Sequence, residues 1–121
     1  MIRLLLFLVA TLIATPAVAQ SQASLNTSAA SQAQAADKAL NDRYRTVMAQ
    51  LSPASRLLLR DAQRSWINFR DQQCNFESSG AQGGSAYPMV RAGCLARLTE
   101  ERTRQLESMG QCPEGDLACP R

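Results

Sequence analysis

The chain has 121 residues, 45% hydrophobic and 5% aromatic, with 13 basic residues against 10 acidic ones and no His. The lack of His excludes Ser–His–Asp triads, His-ligated metals and imidazole acid–base catalysis. The net charge of +3 is small and mixed in sign along the chain. A nucleic-acid partner would need a basic stripe and is therefore excluded.

At the N-terminus Arg3 precedes an apolar run from Leu4 to Ala14, followed by Pro16 and the small residues Ala17-Val18-Ala19. Basic, then apolar, then Ala-x-Ala is the order of a secretory signal peptide, so residues 1–19 are expected to be removed before Gln20. The apolar core is shorter than the ~20 residues of a membrane span. The mature chain would be residues 20–121, which is 102 residues carrying +2 once Arg3 is lost, with no membrane attachment after cleavage and no Cys at the cleavage point to accept a lipid.

Residues 20–36 are nearly all Ala, Ser and Gln, with Leu25 as the one large apolar side chain. Such a segment offers little surface against its ordering entropy and is expected to be a mobile leader, its Ala-rich second half extending the next helix. From Asp37 the pattern becomes helical: Leu40, Tyr44, Val47 and Leu51 fall on one face. Asp37, Asn41 and Tyr44 share that region, and Asn41 reads as a polar group in a structural hydrogen-bond network.

Ser52-Pro53 predicts a new start, because Ser caps helices and Pro suits the first helical position. The second helix runs through Leu58, Ala62, Trp66, Phe69 and Cys74, with no Gly or Pro before Gly80. Within it Gln63, Trp66 and Phe69 read as structural, the two aromatics as core. Trp66 and Arg70 are four apart and can stack as a cation–π pair. Arg70 reads as a half-buried clamp on a carboxylate such as Glu101; the competing reading makes Trp66, Arg70 and Asp71 a recognition surface. Residues 78–86 form the internal loop. Tyr87-Pro88 opens a third helix carrying Met89, Val90, Cys94, Leu95, Leu98, Leu106 and Met109, with Gly110 as its C-cap. The tail 111–121 holds Pro113, Gly115 and Pro120 and is expected to be non-helical. No stretch alternates with period two. The fold class is all-α, a small helical hairpin or three-helix domain over 37–110, stapled by disulfides because its core is thin.

Four cysteines, Cys74, Cys94, Cys112 and Cys119, allow three disulfide connectivities. Their spacings of 20, 18 and 7 do not suit a four-Cys zinc site, which favours close pairs. The preferred pairing is Cys74 with Cys94 and Cys112 with Cys119, each closing a Gly-containing loop between or beyond helices. Neither a metal nor a cofactor is expected. An enzyme is not expected either. Glu100 and Glu101 are adjacent and diverge on a helix, Asp61 and Asp71 have Arg neighbours that hold them ionised, and the serines lack a base.

The strings Asp37-Lys-Ala-Leu-Asn-Asp-Arg-Tyr44, Ala62-Gln-Arg-x-Trp-x-x-Phe-Arg-Asp-x-x-Cys74, Gly83-Gly-Ser85 and Cys94-Leu-x-x-Leu-Thr-x-x-Arg102-x-x-x-Leu106 together resemble the LprI-type lysozyme-inhibitor domain. The resemblance runs in order over about residues 30–109. It departs from the family pattern in having no Cys upstream of the Leu-Asn motif and in carrying Cys112 and Cys119 beyond the domain. It implies an exported helical bacterial domain with a Cys74–Cys94 bridge, and lysozyme as the partner.

The expected function is therefore lysozyme inhibition by occlusion of the cleft, in the periplasm or outside the cell. Its working element would be the loop 75–93 tethered by Cys74 and Cys94, with Ser85, Tyr87 and Arg91 offering hydrogen bonds and charge. The alternative is a non-inhibitory cell-envelope module that binds another envelope protein. The sequence sets no oligomeric state.

Overall fold

Three periodic segments separated by Ser52-Pro53 and by the Gly-rich stretch fold as three α-helices in a computed structural model, which describes residues 17–121 and side chains from Ser21 onward. They are α1, Ala17–Gln50; α2, Pro53–Glu77; and α3, Tyr87–Gly110, with a 3₁₀ turn at Ser79–Ala81 inside the expected loop. The basic and apolar parts of the expected export signal lie outside the described residues. Among the described residues there is no strand, and no helix is long and apolar enough to cross a membrane.

α2 runs antiparallel to its neighbours, and α3 returns parallel to α1. Gln22 near the start of α1 donates to the Met89 sulfur near the start of α3 at 4.0 Å. Arg43 near the end of α1 meets Glu107 near the end of α3 at 3.3 Å. This register aligns two series of mostly small or aliphatic residues. On α1 the buried positions are Ala29, Ala36, Leu40 and Val47, with Leu51 just past its end; on α3 they include Ala96, Thr99 and Leu106. Steps of three, four or seven keep each series on one face. Gly110 closes the far end: a Cβ there would lie 3.4 Å from both the Val47 Cγ2 and the Gln50 Oε1. It is the last helical residue, not the expected left-handed C-cap; the positive-φ glycines are Gly83 and Gly115.

Residues 20–36 extend the helix in their Ala-rich second half as expected, and in their first half correct the expectation of a mobile leader. They are helical throughout, and Ala29 and Ala36 are buried. Their lack of large side chains is what lets two helices approach closely, and Ala is the best intrinsic helix former. The segment needs little area per residue because it shares a long contact with α3.

The apolar core sits where α1 and α3 end and α2 begins. Leu40, Val47, Leu51 and Leu106 form it, with Tyr44, Met48, Leu59, Trp66 and Met109 packed against it. α2 starts as expected, with the Ser52 hydroxyl accepting from the Ser55 N–H at 3.3 Å and Pro53 at the first helical position. Its inward face is the expected one only in part. Phe69 is 54% exposed and Leu58 is 72% exposed, and Ala62 is exposed as well. Cys74 is buried and Trp66 and Arg70 are half-buried, as expected, and the buried Gln63 joins them. Both disulfides form as paired above, Cys74–Cys94 and Cys112–Cys119. The tail is non-helical and folds back so that the Arg121 main-chain oxygen accepts from the Ser52 hydroxyl at 2.7 Å.

Candidate functional site

The central string of α2 builds a polar node at the heart of the three helices. The Arg70 guanidinium lies 5.3 Å from the Trp66 ring centre, the stacking expected from their four-residue spacing. It donates to Asp37 Oδ1 of α1 at 2.9 Å, to Thr99 Oγ1 of α3 at 3.2 Å and to Asp71 Oδ1 at 3.0 Å. Arg70 is thus a clamp, as expected, but its carboxylates are Asp37 and Asp71. Glu101 is exposed on α3. Arg102 covers the same indole at 5.9 Å and donates to the buried Gln63 Oε1 at 3.0 Å. The two guanidinium groups over one indole therefore join all three helices through hydrogen bonds that leave no buried side-chain atom unpaired among the described residues.

Beside this node α1 and α2 leave a groove of about 370 Å³. Asp37, Leu40, Asn41 and Tyr44 line one wall; Arg60, Gln63, Arg64, Ile67 and Arg70 line the other. Asn41 corrects its expected role: it is exposed at the groove surface, and its side chain holds no protein hydrogen bond among the described residues. The motif residues of α1 and α2 are thus brought to one place, with Leu40 and Tyr44 serving the core and Asp37 the clamp.

The loop between α2 and α3 is a run of tight turns. Ser78 is buried, and both its N–H, at 3.1 Å, and its hydroxyl, at 2.6 Å, donate to the Cys74 carbonyl. Successive i to i+3 bonds follow from Ala81 to Ser78 and from Gly84 to Ala81, each at 3.0 Å, and Gly83 takes φ +83°, a conformation that suits glycine. Asn26 of α1 holds the Ser85 carbonyl at 2.9 Å, and Arg91 Nε donates to Asn75 Oδ1 at 3.1 Å. Arg97 donates to Glu77 Oε2 at 2.7 Å across the base. Ser85 stands exposed, while Tyr87 and Arg91 are half-buried at the loop's foot.

Hydrogen bonds from Gln73 and then Arg97 hold the Glu77 carboxyl below its usual value. Lys38 and then Arg45 do the same for Asp42. Burial pushes the Arg102 guanidinium down from its ordinary value. Among the described residues no three His, Cys, Asp or Glu side chains gather to hold a metal ion. The arrangement suits recognition, because its polar groups are fixed to one another and its free groups line surfaces. Residue-by-residue reading missed Thr99, Arg102 and the Asn26 brace. Arg102 and Thr99 occur in the α3 string quoted above, at a spacing of three that puts both near α2; nothing local marks Asn26.

The family model described as "Lysozyme inhibitor LprI" matches residues 14–106. An uncharacterized protein of Rhizobium meliloti (strain 1021) is 38% identical over 109 residues, an alignment that spans 79% of this chain and 78% of that protein. No solved structure matches.

Proposed function

The chain belongs to the LprI lysozyme-inhibitor family, and from that premise we propose that it is an exported protein that inhibits lysozyme by binding and covering its cleft, with no chemistry of its own. The observation that carries this reading is the family match over residues 14–106, which includes the whole Trp66–Arg70 node and the bridged loop. Export agrees with two disulfides in a chain without free cysteines, since such bridges persist outside the reducing cytoplasm. Residues 1–19 would be the signal, and the periplasm or the exterior the destination.

The loop from Asn75 to Gly93 is the proposed contact element. A segment bridged at its base and braced by Asn26, Asn75 and Ser78 loses little conformational entropy on binding. Ser85 presents a free hydroxyl, Tyr87 an amphipathic ring and Arg91 a guanidinium edge toward a carboxylate-lined sugar cleft. Arg70 and Asp71 support the fold beneath this surface, since the guanidinium is turned inward and is only 14% exposed.

Turbidity of a cell-wall suspension treated with lysozyme tests the reading. Purified protein in molar excess should slow clearing, and a folded Ser85/Tyr87/Arg91 triple-alanine variant should not. Full clearing in the presence of the parent protein refutes inhibition. Retained inhibition by the triple variant moves the contact to the α1–α2 groove, where Arg64 lies.

A further inference from the structure

Two side chains in the groove between α1 and α2 serve neither the core nor the Arg70 clamp. Asn41 on α1 and Arg64 on α2 are exposed there, and neither side chain holds a hydrogen bond or an ion pair among the described residues. Arg60, one turn before Arg64, lines the same wall. Its one carboxylate is that of its chain neighbour Asp61, at 3.5 Å and between exposed groups, a contact that holds little.

The charge of the groove is one-sided. Arg60, Arg64 and Arg70 line it against Asp37 as the single acid, and Asp37 is already engaged by Arg70. Asp42, next to Asn41, is held by Lys38 and Arg45. What the groove offers a ligand is therefore two guanidinium groups beside Ile67, 40% exposed, facing the Asn41 amide and Tyr44 across the gap.

That set matches one kind of chain. Guanidinium forks suit carboxylates, and Arg60 and Arg64 rise about 6 Å apart along α2. On an extended chain, carboxylates two residues apart share a face and stand about 6.8 Å apart, so an acidic-x-acidic strand along α2 meets both forks. Adjacent acidic residues point to opposite faces and meet only one. Asn41 carries a donor and an acceptor, the complement of a peptide unit.

We propose that the α1–α2 groove binds an extended acidic segment of a partner protein, with alternate carboxylates on Arg60 and Arg64 and the main chain on Asn41. The site is separate from the bridged loop. Asn26, which holds Ser85, lies about 22 Å before Asn41 along α1. Binding there does not depend on lysozyme inhibition, and its test contains no lysozyme.

Amide chemical-shift titration of the full, oxidised chain with the peptide acetyl-Ala-Glu-Ala-Glu-Ala-amide tests it. Shifts centre on the groove walls and saturate at one peptide per chain. The Gln-for-Glu peptide binds at least about tenfold more weakly, and the isomer with adjacent glutamates at least about fivefold. Arg60→Gln, Arg64→Gln and Asn41→Asp each weaken binding by at least about tenfold, the last by setting a like charge in the groove. All three positions are exposed, so circular dichroism and Tm stay at parent values. Absence of shifts at millimolar peptide overturns the proposal, as does binding that Arg64→Gln leaves unchanged. Equal affinity for the adjacent-glutamate isomer or for inorganic phosphate overturns it too, by reducing the groove to a nonspecific anion surface. Preference for an acidic polysaccharide such as alginate over the peptide gives the groove a different partner and overturns it as well.

Discussion

Trp66 and Phe69 lie three residues apart on one helix and answer to different environments. Trp66 packs against the core and between two guanidinium groups, whereas Phe69 is 54% exposed. Trp66→Ala is therefore expected to cost about 3 kcal/mol, the low end for a large aromatic because the ring is only half-buried. Phe69→Ala should cost less than about 1 kcal/mol. Urea denaturation of both variants checks the contrast, and equal losses would mean that α2 is rotated from the orientation described. Arg70 is a third case. Removing it leaves the buried Thr99 hydroxyl without its donor and the Trp66 face uncovered. Arg70→Ala is expected to cost about 2–3 kcal/mol, and Arg70→Lys should recover little, since an ammonium cannot spread its hydrogen bonds over Asp37, Asp71 and Thr99 as a planar fork does. At Glu77 the sign is set by its depressed folded-state value. The tie to Gln73 and Arg97 contributes above the ordinary carboxylate range and is lost as acid protonates Glu77 below that range. Tm measured from neutral to acid pH should fall less steeply in Glu77→Gln than in the parent.

At the scale of elements, what periodicity encodes was legible and what partners decide was not. The Leu40, Val47 and Leu51 face, the Ser52-Pro53 start and the loop at 78–86 followed from spacing and cap chemistry alone. α2 shows the limit. Spacing and hydropathy put Leu58, Ala62 and Phe69 on the inward face together with Trp66 and Cys74, whereas the face that turns inward is a mixed one through Gln63, Trp66, Arg70 and Cys74. The molecule turns this mixed face inward, because the Cys74 bridge, the Asp37 carboxylate and the Thr99 hydroxyl are available only once α1 and α3 are in place. The Ser- and Gln-rich start of α1 departs from its expected mobility for a related reason: small side chains look too poor to order until a parallel neighbour such as α3 supplies the other half of the contact. The candidate site divided in the same way. The Trp66–Arg70 stack was visible at i, i+4, while Arg102 and Asn26 reach their partners from 39 and 59 residues away. The two bridges should then differ in worth. Cys94→Ser breaks a buried link between helices and is expected to cost about 2–5 kcal/mol, whereas Cys112→Ser frees only an exposed tail and should cost less than half as much. Thermal melts of the two variants decide it, and equal losses would show that the tail holds the bundle closed.

For the whole molecule the controlling quantity is charge. With 13 basic and 10 acidic residues, the chain has no long-range attraction for a cationic lysozyme, and loss of Arg3 on export would lower the net charge only to +2. The proposed inhibition would then rest on short-range fit at the loop, with electrostatic steering contributing nothing to encounter. Salt is the discriminating variable, since the screening length falls from about 30 Å at 0.01 M to about 8 Å at physiological strength. A complex assembled by steering loses association rate steeply over that range. This one should keep its association rate within about threefold or gain slightly, because screening removes a weak repulsion and leaves the contacts of Ser85, Tyr87 and Arg91 intact. Stopped-flow or surface-plasmon kinetics with lysozyme at several salt concentrations read this directly. A steep fall in association rate with salt would place the contact on a local acidic patch such as that formed by Glu100 and Glu101, both exposed on α3, and away from the bridged loop.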